Sequence, residues 1–239
     1  MASPVADSYT TASGGVIAGG RYRLPLWARS VAVGEWVAVG GTSLSARSNS
    51  DKPPNVPYSG MAWREVTREI ILAAVGGHDD SSWNGVASLN CSVDSPAWEL
   101  RKAPSAIGNR VIDSAYYTDG LPSSRHTYQN NHWVSQKNRL MMLGARFVYG
   151  SAVSFNKVDS FSFDTNAWDA AGTNADSLSN LHAVNPATGN AFGVTDYDGY
   201  LWTRSTDTHA QHHYGDNSSV GSVAWDSTNT QWVSFGYGD

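Results

Sequence analysis

The sequence predicts an all-β chain folded as a β-propeller, and three observations carry that expectation. Ten tryptophans, 11 tyrosines and 23 glycines occur among 239 residues, of which only 15% are charged. Such a mixture suits short strands joined by tight turns, whereas long helices would draw on more Ala, Glu, Lys and Leu. An apolar run closed by glycine also recurs, at residues 70–75 before Gly76-Gly77 and at 140–143 before Gly144. Each run is followed by a further strand pattern and then by a tryptophan, Trp98 in one copy and Trp168 in the next. Units spaced by roughly 40–70 residues, each able to bury a face only against its neighbour, are the sequence signature of propellers. A β-sandwich would use the same strands and turns but not the ordered return of glycine and tryptophan.

Residues 1–24 are small, polar and glycine-rich, as expected of a flexible arm, and one propeller domain is expected over 25–239. Residues 35–39 read as a lone strand closed by Gly40-Gly41, and 43–59, with Pro53, Pro54 and Pro57, as a surface loop. From Gly60 the pattern becomes regular: strand 61–66, a tight connection at 67–69, and a continuous apolar strand at 70–75, as burial on both faces requires. Strands at 86–91 and 97–100 complete the unit. The next unit reads as strand 126–135, turn 136–139, and strands 140–144, 157–164 and 167–169. A weaker copy has strands at 181–184, 191–194 and 199–203, and a last one at 222–225 and 232–236. Polar residues fall where the first strand of each copy must reverse, with Asn, Asp, Pro or Gly among them after the first unit. Asp196-Tyr197-Asp198-Gly199 lacks the spaced oxygen ligands of a calcium loop and reads as a hairpin turn.

Gly76-Gly77 with Trp98, and Gly144 with Trp168, resemble the kelch superfamily of propellers, whose repeats carry a Gly-Gly pair after the second strand and a tryptophan near the fourth. The chain is also similar to a bacterial and phage-associated subgroup with a Gly-Gly-His-x-Asp segment followed by Asn and Pro-x-Trp. Here those positions are His78, Asp80, Asn84, Pro96 and Trp98, and the likeness includes residues 119–128. Complete kelch propellers have six or seven blades, but about four are countable here. The resemblance therefore implies a kelch-like propeller with an incomplete or unusually small ring, its last blade closed by the strand around Trp36. The chain is then either a truncated product of a longer protein or a small ring with irregular closure. An open ring would leave strand edges and apolar faces for a second copy or a partner chain to cover.

Three clusters could carry chemistry. His78, Asp79 and Asp80, with Trp83 and Asn84, could hold a divalent metal or supply acid and base; the simpler reading is that His78 and Asp80 tie down their loop. Arg125-His126-Thr127-Tyr128 could form a polar binding surface, with Arg125 gripping an anionic or hydroxyl-rich group and Tyr128 a sugar or ring face. Arg125 could equally bridge blades. His212 and His213 are adjacent, so on a strand they face opposite ways and cannot share one metal.

The net charge of −5 gives no basic footprint for nucleic acid. No apolar run approaches a membrane span, and the N-terminus does not read as a signal peptide, so a soluble chain is expected, with the compartment open. The expected role is a non-enzymatic binding or structural module for a protein or glycan, with no cofactor; the resemblance adds a virion or cell-surface setting. The runner-up, a copper-radical oxidase like galactose oxidase, needs a tyrosine crosslinked to a cysteine, and Cys91 is the only thiol. A glycoside hydrolase has no readable acid pair behind it.

Overall fold

The computed structural model describes residues 25–29, 31–32, 35–36, 59–77, 81–151, 153–176, 181–194, 198–213 and 220–236. After a short helix α1 (Leu26–Arg29) the chain is built from strands. The first sheet has β1 (Ala62–Arg64), β2 (Glu69–Ala73), β3 (Val86–Asn90) and β4 (Trp98–Lys102), hydrogen-bonded in chain order. The second repeats that order with β5 (Asn131–Val134), β6 (Arg139–Ala145), β7 (Phe155–Ser162) and β8 (Ala167–Trp168). The third contains β9 (Leu181–Val184), β10 (Ala191–Val194), β11 (Asp198–Thr203) and β12 (Thr208–His213), and the fourth is the hairpin of β13 (Val220–Asp226) and β14 (Gln231–Gly236). All pairings within these sheets are antiparallel, and the all-β expectation holds.

Several boundaries differ from the sequence reading. The strand expected over 126–135 is confined to β5, because His126 makes only an isolated bridge to Arg146 and residues 135–137 form a 3-10 turn. β12 was not read from sequence at all, since its polar, histidine-rich run lacks an apolar face. Gly199 lies within β11, paired with Val194 and His212, and not in a turn. Of the expected strand at 35–39, Glu35 and Trp36 are described without strand structure and Trp36 is fully exposed. Residues 37–41, the arm at 1–24 and most of the proline-rich loop lie outside the described residues.

Five hairpin turns share one device. Arg68, Asn138, Asn166, Asp207 and Thr230, each directly before a strand, adopt left-handed φ values of 55°, 50°, 50°, 51° and 57°. Asn and Asp tolerate that region best because a short polar side chain can bond locally. Connections of this kind, four to seven residues long, occupy one end of the sheets: 65–68, 91–97, 135–138, 163–166, 185–190, 204–207 and 227–230. The opposite end carries the longer connections 74–85, 103–130, 146–154 and 169–180.

The core lies between successive sheets. Ala62, Ile71, Ala73 and Val86 of the first sheet pack against Leu140, Met142, Phe161 and Trp168 of the second. The reverse face of the second, with Val134, Met141, Leu143 and Val158, packs against Ala191 and Trp202 of the third. Ala183 and Phe192 of the third then meet Val223 of the fourth. β1 adjoins β5, β5 adjoins β9, and β9 adjoins β13. The apolar run of β2 follows directly: alternate residues serve opposite faces, and Leu72 joins Trp83, Ala87 and Trp98 on the far side.

Polar groups close the first interface. Glu69 is buried and accepts from Arg101 Nη2 at 2.6 Å, Thr67 Oγ1 at 2.5 Å, Ser88 Oγ at 3.1 Å and Arg64 Nη1 at 3.2 Å. Arg64 lies over the Trp133 and Phe163 rings of the second sheet, 4.6 and 5.1 Å from their centroids, which carries the network across the interface. Burial pushes the Glu69 carboxyl up, but the hydrogen bonds from Thr67, Arg101 and Ser88 and the Arg101 charge outweigh it, so the group sits below its usual 4.5. Glu69→Ala leaves two arginines without their shared acceptor and should cost about 3 kcal/mol, read as a lower urea midpoint at unchanged m-value. Because the folded-state pKa is depressed, that difference from wild type should be full above about pH 4.5 and shrink as the carboxyl is protonated at lower pH.

Candidate functional site

The longer connections over the first two sheets carry the described members of the two clusters singled out from sequence, Trp83 and Asn84 of the first and residues 125–128 of the second. Gly76 and Gly77 have φ values of 135° and 79°, and a Cβ on Gly77 would strike Phe147 O and the Arg125 backbone. That contact explains the glycine: the turn after β2 is pressed against the chain entering β5. Ser124 Oγ donates to Ser81 O at 2.6 Å and accepts from Gly77 N at 3.3 Å, while Tyr117 Oη donates to Ser82 O at 3.0 Å. His78 and Asp80 lie outside the described residues.

Trp83 is fully buried and packs with Leu72, Val75, Ala87 and Trp98. Asn84, also buried, uses its whole amide: Nδ2 donates to Ser105 Oγ and Pro122 O, and Oδ1 accepts from Ser105 N, all at 2.8 Å. Both residues are buried: Asn84 fastens the 103–130 connection to the first sheet, and Trp83 fills the core beside it.

Arg125 is entirely buried. Its Nη1 donates to Asp159 Oδ2 of β7 at 2.9 Å, Nη2 to Ala115 O at 3.0 Å and Nε to Ser123 O at 3.1 Å, and its backbone N–H reaches Ala74 O. One residue thus ties the end of β2, the long connection and the second sheet. Tyr116 lies close by: burial, then the Asp159 charge and a hydrogen bond with Asp159, push its phenol well above its usual range.

His126 is buried and Tyr128 half-buried. His126 Nδ1 and Tyr128 Oη share a hydrogen bond of 3.0 Å, and both rings stand edge-on to Phe147, with centroids 5.4 and 6.4 Å away. Arg146 lies over Phe147, its guanidinium carbon 5.2 Å from the ring centroid. Arg146 and Phe147 carry no signal in the sequence, since the bridge between His126 and Arg146 that places them here is a tertiary contact.

A polar seam joins the first strands of the sheets. Asn131 Nδ2 donates to Gly60 O at 3.1 Å, His182 Nδ1 to Asn130 Oδ1 at 3.0 Å, and Val223 N to Gln129 Oε1 at 3.4 Å. His132 sits on this seam with Nε2 buried and unpartnered. Burial pulls its pKa from 6.5 down to about 4, against hydrogen bonding with the backbone of Gln129 and His182, which acts the other way.

Among the described residues, no three His, Cys, Asp or Glu side chains converge as a metal ion would require. His209, His212 and His213 lie in β12, paired with Trp202, Gly199 and Asp198. Cys91 is in the turn after β3, at the end opposite to the long connections, its Sγ 3.7 Å from Leu89 O; burial raises its pKa. No helix among the described residues is long and apolar enough to cross a membrane. No protein-family model matches the chain, and a search of curated proteins finds no match.

Two variants test the scaffold around this end. Arg125→Ala strands the buried Asp159 carboxylate and should cost about 3–5 kcal/mol in urea unfolding, whereas Arg125→Met with Asp159→Leu should recover most of the loss. His132 has a folded-state pKa below its unfolded value, so the unfolded chain takes up its proton first. Wild-type stability should fall between pH 6.5 and about 4, by on the order of 3 kcal/mol, and His132→Leu should flatten that stretch of the profile.

Proposed function

We propose that this chain is a kelch-like β-propeller that binds a protein or glycan, and not an enzyme, through the end carrying the long connections. The observation behind the fold reading is the stacking order: four antiparallel sheets follow one another in sequence, with β1, β5, β9 and β13 side by side and apolar faces between neighbours. Propeller blades meet in this way around an axis lined by their first strands. The resemblance of Gly76-Gly77 and Trp98 to kelch repeats supports the same reading.

One observation carries the functional reading. The two ends of the sheets differ in kind, short polar hairpins on one and connections of up to 28 residues on the other. Binding residues concentrate on loops held by a rigid scaffold. At that end Tyr128 and Phe147 are half-buried and Ile107 and Ile112 exposed, beside a framework fixed by Arg125 and Asn84. Among the described residues there, Asp159 is engaged in an ion pair and Tyr117 donates to the loop backbone. A virion or cell-surface setting, with apolar sheet faces covered by a second copy or another chain, belongs to the same proposal. The oxidase reading places its only thiol, Cys91, at the wrong end of the sheets for a site built on those connections.

A glycan array and a pull-down from cell-surface extract, run with light scattering, test the proposal. Tyr128→Ala should weaken the ligand found by about tenfold, as loss of an aromatic contact does, while Thr206→Ala on the short-hairpin end should leave it unchanged. A monodisperse monomer that retains no ligand in either screen would overturn the proposal.

A further inference from the structure

Arg146 differs from the other arginines of the described residues. Arg64, Arg101, Arg125 and Arg139 are ion-paired, Arg110 and Arg204 donate to backbone oxygens, and Arg29 and Arg68 have partners of their own. Among the described residues, no hydrogen bond or ion pair engages the Arg146 guanidinium, and its Nε is buried without an acceptor. An unmatched, partly desolvated guanidinium is costly to keep, and an incoming carboxylate would supply the missing acceptors in a planar, two-pronged geometry.

Its surroundings narrow the ligand class. Phe147 lies beneath it, and Phe147 and its neighbour Tyr128 are both half-buried. Their planes meet at 75° and form a corner and not a flat slot. Both residues hold left-handed backbone, with φ of 44° for Phe147 and 38° for Tyr128, which bulky side chains rarely adopt. That conformation is held in place: His126 N donates to Arg146 O, Phe147 N donates to Ser154 Oγ at 3.2 Å, and the Phe147 carbonyl abuts Gly77. Strained backbone fixed from several sides is a feature of ligand-holding sites. A hydrogen bond of 3.0 Å to the His126 ring fixes the Tyr128 phenol.

We propose that Arg146, Phe147 and Tyr128 form a subsite for a carboxylate-bearing sugar of a glycan. The guanidinium takes the carboxylate and the aromatic corner takes the C–H face of the pyranose ring. A neutral sugar leaves Arg146 unmatched, and an acidic peptide fills the guanidinium without using the rings. The chain's net charge of −5 opposes acidic ligands in general, so binding of this one depends on the local cation. The inference rests on the glycan branch of the function proposed above.

Calorimetric titration of the full chain tests it with four probes: methyl β-D-glucuronide, N-acetylneuraminic acid, methyl β-D-glucoside and a tetraglutamate peptide. At least one of the two acidic sugars should bind about tenfold tighter than the glucoside and weaken as salt is raised. Arg146→Gln should remove that preference, and Arg146→Lys, which keeps charge but loses the fork, should keep only part of it. Equal binding of the glucoside, salt-independent binding by the wild type, or an unchanged preference in Arg146→Gln would each overturn the subsite. Tighter binding of tetraglutamate than of either acidic sugar would overturn the ligand class. If neutral glycans from the array bind wild type and Arg146→Gln alike, the subsite falls while the glycan-binding function stands; if the array and the pull-down are also empty, both fall.

Discussion

Each of the first two sheets is apolar on both faces, and a single sheet cannot bury both faces by itself. β2 illustrates the constraint: Ile71 and Ala73 point to the second sheet, Leu72 away from it, and all three are fully buried. Sheet must therefore follow sheet, each serving as cover for the one before. The stacking order, the adjacency of the first strands and the division of the molecule into two unlike ends all follow from that need. At about 25 cal/mol per Å² of apolar surface removed from water, these interfaces are the main source of stability.

Apolar stacking alone leaves register and rotation between sheets loosely determined, and a few buried polar groups supply what it lacks. Glu69 gathers two arginines, a threonine and a serine at the first interface, and Arg64 continues the contact onto Trp133 and Phe163. Arg125 does the same at the end with long connections, where one guanidinium meets Asp159 and two carbonyls. These geometries are directional, so they discriminate between relative placements of sheets in a way that dispersion contacts do not. A consequence is that the two sequence clusters first suspected of chemistry divide. Trp83, Asn84 and Arg125 belong to the framework, while Tyr128 remains at the surface with two neighbours, Arg146 and Phe147, that the framework holds in place.

Much of the strand pattern was legible because it depends on local rules. The alternating and continuous apolar runs marked β2, β3, β6 and β7 to within a few residues, and turn residues such as Asn138, Asn166 and Asp207 marked reversals. β12 was missed because its residues are polar, and a strand held chiefly by its ladder to β11 has no apolar signal to read. The excess length expected for β5 has a different cause. Residues 126–130 look like a continuation of the strand, yet Arg125 and His126 pair with the ends of β2 and β6 and turn the chain aside.

The amino-acid sequence by itself determined the all-β class, the repeat of strand, glycine and tryptophan, and the acidic net charge, since composition and periodicity express these without any distant contact. It also marked Gly76-Gly77 and Arg125 as unusual positions. Only the tertiary structure decided what those positions do, because burial and partnership depend on residues far away in the chain. Ser124 lies 47 positions from the Gly77 N–H it accepts from, and Asp159 lies 34 positions from the guanidinium it neutralises. The same holds for Arg146, an ordinary arginine in sequence. Its lack of a partner shows only once the other described arginines have found theirs.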